Sequence, residues 1–208
     1  MLDAPQRSTA WLQARVGRAT ASRAADIIAK TKSGWGASRY NYEAELVAER
    51  LTGVPADSYV NGAMQWGQEK EPEARAQYAF LADLDVVEVG FIEHPRIPMA
   101  GASPDGLVGD DGLVELKCPN TSTHIATLLG EPIAAKYITQ MQFQMATTSR
   151  LWCDWVSYDP RLPDYARLHI HRVYRDDGYI AELENEVRIF LLDVARKTER
   201  VRALNHGT

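Results

Sequence analysis

A chain of 208 residues is long enough for one well-buried domain and short for two. No apolar run approaches the roughly 20 residues that span a bilayer, and MLDAPQRSTAW lacks the apolar centre of a signal peptide, so no membrane role and a cytoplasmic location are expected. The two cysteines, Cys118 and Cys153, exclude a disulfide framework or a four-thiolate iron–sulfur site and read as small buried hydrophobes, while the net charge of −5 speaks against a polyanion partner until its distribution is considered.

Residues 1–40 carry seven Lys or Arg against Asp3 and Asp26, a net of +5 on a body of −10. Such a segment fits a polyanion bound at one place; a solvated helix face is the competing reading. In chain order, Ser8 or Thr9 predicts a capped helix through Trp11 and Arg15, and Thr20 or Ser22 a second helix to about Lys30. TKSGWGASRY reads as a loop. Tyr42, Leu46, Val47 and Leu51 recur at helical spacing until Gly53 and Pro55. A further helix is predicted from about Ala63 to Phe80, with Met64, Trp66, Ala74, Tyr78 and Leu81 among its apolar contacts.

The pattern then turns β-prone in VVEVGFIEH, PMAGASPDGLV and GLVELKCP. A helix from about Pro132 to Thr148, strands in LWCDWVSYD and ARLHIHRVYR, and an amphipathic helix from about Gly178 to Leu204 complete the chain. Helices first, then strand–helix–strand, then a helix predict an α/β or α+β fold around a central sheet.

GASPDGLVGDDGLVELKCP carries the chemistry. Gly109-Asp110-Asp111-Gly112 predicts a hairpin. Side chains alternate along a strand, so Glu115 and Lys117 share one face. A loop of odd length centred on Asp110 sets Asp105 opposite Glu115 on that face, whereas a two-residue loop separates them; the sequence leaves both open. Facing carboxylates repel, so a divalent cation or Lys117 must compensate. A metal held by Asp105, Glu115 and the Leu116 carbonyl, with Lys117 as a mobile-pKa point charge, suits metal-assisted phosphodiester hydrolysis. An exposed hairpin of alternating charge gives the same spacing, but Leu107, Val108, Leu113, Val114 and Leu116 mark a core element. Gly101, Ala102, Pro104 and Gly106 read as leaving the backbone around Asp105 open.

These residues closely resemble the active-site hairpin of the phage lambda-type exonucleases, also called YqaJ-like viral recombinases, within the PD-(D/E)xK superfamily. The resemblance runs from about Trp11 to Pro160 in four ordered blocks: WLQARVGRATAS, WGQEKEPEAR, SPDGL…ELKCP, and YITQMQFQM followed by WVSYDP. It implies a restriction-endonuclease-like core, a central mixed β-sheet flanked by helices, in one nuclease domain over 1–208. Within it lie a DNA-end-contacting segment (about 1–55), a catalytic core (about 60–175) and the C-terminal helix (about 178–204).

By the same resemblance, Asp105, Glu115, the Leu116 carbonyl and Glu71 hold the metal, Mg²⁺ or Mn²⁺ with two ions per site. Lys117 and Gln140 join them in catalysis, and Arg15 and Ser22 hold a DNA 5′-phosphate. The implied activity is 5′-to-3′ digestion of linear duplex DNA in phage-type recombination, leaving 3′ overhangs. The implied partners are double-stranded DNA ends, a single-strand annealing protein and further copies of the chain, with a trimeric ring in the best-known member. An endonuclease on the same core and a non-catalytic DNA-end-binding module are the alternatives.

Without the resemblance, Glu71 beside Glu69 and Glu73 reads as a solvated acidic face, and Gln140 and Gln144, one turn apart, either as an ordinary polar face or, since their helix must pack on a neighbouring sheet, as part of the site. Amides of a helix starting near Ser22 would add donors for a phosphate. Trp35 either stacks on a DNA end or folds back on the core. His94, His124, His169 and His171 lack zinc-site spacing.

Overall fold

The computed structural model describes residues 4–56 and 62–204. A short α1 (Thr9–Arg15) is capped by Ser8, whose hydroxyl accepts from the Trp11 amide. The chain then passes through β1 (Ala19–Thr20), a 3₁₀ turn over Ala21–Arg23, and α2 (Ala24–Ile27). The predicted helix from Thr20 or Ser22 to Lys30 is therefore only this turn and four residues. Ser22 lies inside the turn, and no side chain caps it.

The predicted loop 31–40 is also more ordered than expected. Strands β2 (Lys30–Thr31) and β3 (Gly34–Trp35) pair, and α3 (Ala37–Thr52) already includes Arg39 and Tyr40. Gly53 ends α3 with φ +70°, a backbone geometry for which glycine lacks the Cβ penalty.

Helix α4 (Gly62–Ala82) runs through Pro72. Of its expected apolar contacts, Ala74 and Tyr78 are buried and Trp66 is half-buried, but Met64 and Leu81 are exposed. The β-prone runs split between two sheets. Strands β4 (Val86–Val87), β7 (Gly106–Val108), β8 (Gly112–Lys117), β9 (Trp152–Tyr158) and β10 (Leu168–Tyr174) form the main sheet, in the order β10-β9-β8-β7-β4. Strands β5 (Ile92–Glu93) and β6 (Ala100–Ala102) join β1 in a small sheet. The main sheet is mixed: β8 and β9 are parallel, their neighbours antiparallel.

Three helices complete the chain. Helix α5 (Thr121–Leu128) was not foreseen; Asn120 caps it, its Oδ1 accepting from the Thr123 amide at 2.9 Å. Helix α6 (Ala135–Thr148) begins three residues after Pro132, so that proline does not occupy its first turn. Helix α7 (Asp177–Ala203) is capped by Asp176.

Alternation along β8 divides the layers. Val114 and Leu116 pack with Ala74 and Tyr78 of α4, while Leu113 packs with Met141 and Met145 of α6. A third core joins α2, α3 and α7 through Ile27, Tyr42, Leu46, Val187 and Phe190. Central strands buried on both faces explain the near-continuous apolar character of LVEL.

Candidate active site

The hairpin settles the open question of register. Gly106 pairs with Val114, Leu107 with Leu113 and Val108 with Gly112, so the loop is the three residues 109–111. Gly109 turns with φ +51°, and Arg150 fixes the turn by donating Nη1 to the carbonyls of Val108, Gly109 and Gly112. Carried one residue on, this register sets Asp105 across from Glu115, on the α6 face with Lys117.

The glycines here serve packing, not access. A Cβ on Gly101 would lie 2.3 Å from the Phe91 ring, and one on Gly106 2.3 Å from a Val86 methyl. The open-backbone reading of that stretch is therefore corrected.

A cleft of about 760 Å³ brings Asp105, Glu115, Leu116, Lys117, Glu71, Gln140, Arg15 and Ser22 onto one surface. Glu115 is 1% exposed, and each of its carboxylate oxygens accepts a hydrogen bond. Lys117 Nζ and Gln140 Nε2 (2.6 Å) donate to Oε1, and Gln144 Nε2 donates to Oε2 at 2.7 Å. Asp105 Oδ2 accepts from the Leu116 amide at 2.7 Å. Burial, then the Glu115 and Glu71 carboxylates, push the Asp105 carboxyl well above its ordinary range, against Lys117 and the Leu116 amide. Burial alone would weaken the Lys117 ammonium, but Glu115 and Asp105 outweigh it and hold Lys117 charged.

Glu71 enters from α4, on the opposite face of the sheet. Arg75 Nη2 donates to its Oε1 at 2.8 Å, and Arg7 pairs with Oε2. Arg75 also donates Nε to the Asp105 carbonyl. Glu71 thus leaves the acidic face expected for it, while Glu73 faces Lys70 and the Tyr158 hydroxyl. Also lining the cleft, Arg15 lies over the Trp11 ring (4.1 Å), whose Nε1 donates to Ser103. Ser22 is exposed there, its hydroxyl 3.3 Å from that of Thr20. The helical stretch that begins near Ser22 is shorter than expected, a 3₁₀ turn over Ala21–Arg23 that runs into the four residues of α2.

Sequence reasoning missed Arg7 and Arg75, and left Gln144 open between an ordinary polar face and a place in the site. Arg75 stands four residues after Glu71 on one helix, a spacing that could have revealed it; nothing local marks Arg7. Cys118 also lines the cleft, its thiol pushed up to about 12 by burial and then by Glu71 and Asp105. Trp35 stacks between Arg39 and Lys30 and is no part of the cleft wall.

The oxygen donors suit a hard cation such as Mg²⁺ or Mn²⁺. Asp105 and buried Glu115 repel each other, and a cation between them would offset that repulsion. Among the described residues no three Asp, Glu, His or Cys side chains already converge as a ligand cage; each carboxylate is met by a protein donor.

A mixed sheet flanked by helices, with two acids and a lysine converging from adjacent strands, defines a restriction-endonuclease-like fold. The chain belongs to the YqaJ-like viral recombinase family, whose domain model matches residues 10–150. It is similar to an alkaline exonuclease, LHK-Exo, from Laribacter hongkongensis, with 50% identity and a TM-score of 0.88 over 96% of this chain and 98% of that one. A second structure of LHK-Exo, in complex with dAMP, matches equally. A phage-related exonuclease from Haemophilus somnus 129PT shares the fold at 15% identity, with a TM-score of 0.65 over 89% of this chain and 95% of that one. No curated protein sequence matches the chain significantly.

Proposed function

We infer that this chain is a DNA exonuclease, acting as one nuclease domain over 1–208 in phage-type recombination within the host cytoplasm. The observation that carries the reading is the alignment of Asp105, Glu115 and Lys117 in one cleft that Arg15 and Ser22 also line. The family and the likeness to an alkaline exonuclease support it. The binding of dAMP by that relative fits a cleft that releases nucleoside monophosphates.

Asp105, Glu115, Glu71 and the Leu116 carbonyl would hold Mg²⁺ or Mn²⁺, two ions in the full site. Bound there, the metal supplies Lewis acidity and makes water nucleophilic near neutral pH. The chain's residues do the rest. Lys117 presents a charged ammonium where negative charge builds on the phosphate and orients the attacking water. Gln140 holds Glu115 in place. Arg75 fixes Glu71 and the Asp105 backbone together. Arg15, stiffened by its stack on Trp11, offers a planar fork to a terminal 5′-phosphate, with Ser22 beside it.

This placement favours 5′-to-3′ digestion of linear duplex, leaving a 3′ overhang. The same reading includes a homo-oligomer, a trimeric ring in the fullest form, and a single-strand annealing protein as partner.

The test uses linear duplex labelled at either end, covalently closed circles, and Mg²⁺ or EDTA. Release of the 5′ label first, in Mg²⁺ only and with circles spared, supports the reading. Nicking of circles would favour an endonuclease, and DNA binding without cleavage in any divalent ion a non-catalytic end-binding module. Sedimentation as a monomer would reject the oligomer.

A further inference from the structure

We propose that Gln144 is a positioning residue that ties one oxygen of Glu115 away from the cleft, so that Glu115 offers a metal a single oxygen and the site selects Mg²⁺ over Ca²⁺. The proposal rests on the metal-site reading above and concerns which ion the site takes.

The two oxygens of Glu115 have different surroundings. Oε1 meets Lys117 and Gln140, both of which line the cleft. Oε2 meets Gln144, which is absent from the cleft wall and is 0% exposed. Oε1 therefore faces the solvent-filled side and Oε2 the packed side.

Gln144 is not an ordinary core residue. Its neighbours Met141, Phe143, Met145 and Ala146 are apolar and buried. Its own Oε1 is buried with no hydrogen-bond partner. An apolar side chain of the same length would fill that space without an orphaned carbonyl, so the amide donor to Glu115 is what the position supplies. The backbone beneath it is held too, its carbonyl accepting from the Thr148 hydroxyl at 2.8 Å.

Coordination chemistry turns this tether into selectivity. Ca²⁺ takes six to eight oxygens and readily accepts both oxygens of one carboxylate, whereas Mg²⁺ demands near-octahedral geometry at short distance and keeps its waters. With Oε2 held against α6 by Gln144, bidentate binding by Glu115 requires breaking a buried hydrogen bond. The larger ion bears that cost; the smaller one does not need the second oxygen.

The test is calorimetric titration of Mg²⁺ and of Ca²⁺ into the full chain without DNA, for wild type, Gln144→Met and Gln144→Asn. Met matches the length without the donor, and Asn keeps the amide but falls short of Glu115. Thermal melting checks that each variant folds. Mg²⁺ affinity is expected to fall about 10-fold in both variants, the usual loss when a residue supporting a ligand is removed, while Ca²⁺ affinity holds or rises. An unchanged ratio of Mg²⁺ to Ca²⁺ affinity in a folded variant overturns the proposal. If wild type binds neither ion, the metal-site reading fails and this proposal with it. If wild type binds Mg²⁺ and Glu115→Gln does not, the site stands and the ratio alone decides.

Discussion

His94 should make the protein acid-labile by a calculable amount. It is completely enclosed, with Nδ1 accepting from the Arg96 amide at 3.2 Å and Nε2 3.3 Å from Glu184 Oε1. Its ring packs 5.2 Å from Phe143 of α6, the residue before Gln144. Burial pushes the imidazole down to about 4, aided by Arg96 and Arg188 and opposed by Glu184. The folded protein thus binds fewer protons here than the unfolded chain, where histidine titrates near 6.5. Stability is full above that value and declines as pH falls toward 4. At pH 5 the loss amounts to about 2 kcal/mol, from 1.36 kcal/mol for each pH unit below 6.5, a large share of a typical domain's stability. Glu184 remains ionised at pH 5, because Arg96 and Arg188 hold it below its ordinary range despite burial, so its own loss comes at lower pH. Urea unfolding at pH 8 and pH 5 measures the effect. His94→Gln, which cannot titrate, should lose about 2 kcal/mol less than wild type between the two. Equal losses in both proteins would refute the assignment of His94 as the buried neutral group.

Asp105→Asn should abolish cleavage, by about 10²–10⁴-fold, since losing a metal's electrostatic help costs several kcal/mol at 1.36 kcal/mol per tenfold; activity that persists would show the site to be wrong. The same variant, free of metal, should melt higher than wild type at pH 8. The raised Asp105 carboxyl makes its ionised form a cost to folding above the ordinary carboxylate range, and the advantage should vanish near pH 4. Arg15→Met should slow digestion of 5′-phosphorylated ends by about 10–100-fold, from the 1.5–3 kcal/mol of a charged hydrogen bond, and leave 5′-hydroxyl ends little changed; equal effects on both would remove Arg15 from phosphate binding. Gly112→Ala places a Cβ 2.1 Å from the Trp152 ring, and should destabilise by about 1–3 kcal/mol in thermal melts. An unchanged melting temperature would show that the ring yields freely.

The hairpin was legible because its alternation and loop centre are local. Once the loop proves to have three residues, Asp105 and Glu115 can only share a face. The long helices were legible from their period and from stops such as Gly53. What failed depended on distant partners. Gly101 and Gly106 make room for Phe91 and Val86, which lie elsewhere in the sequence. Helix α5 went unread because TSTHIATL is rich in threonine and serine, poor helix formers whose hydroxyls turn back on the backbone. Thr127, for example, donates to the Thr123 carbonyl, and packing under β9 decides the outcome. Glu71 looked solvent-facing because its partners Arg7 and Arg75 come from another segment and from the next turn.

The charge pattern, too, acquires a different meaning in three dimensions. Much of the basic N-terminal segment is spent on the protein itself: Arg23 pairs with Asp26 and Glu45, Arg18 with Glu93, and buried Arg39 donates to the Ile27 carbonyl. At the cleft, Arg7 is tied to Glu71 and Arg161 to Asp159, while Arg15 and Lys117 line it beside Asp105 and Glu115. The cleft thus gathers several basic groups beside its carboxylates on a protein of net charge −5. Attraction to a polyanion then arises from local focusing rather than from overall charge. Basic groups gathered in one cleft should concentrate binding where that cleft can be entered. A strand terminus, with its phosphate free to reach Arg15, meets that condition better than the middle of a helix. The charge arrangement thus favours action at ends for the same physical reason that it tolerates an acidic body.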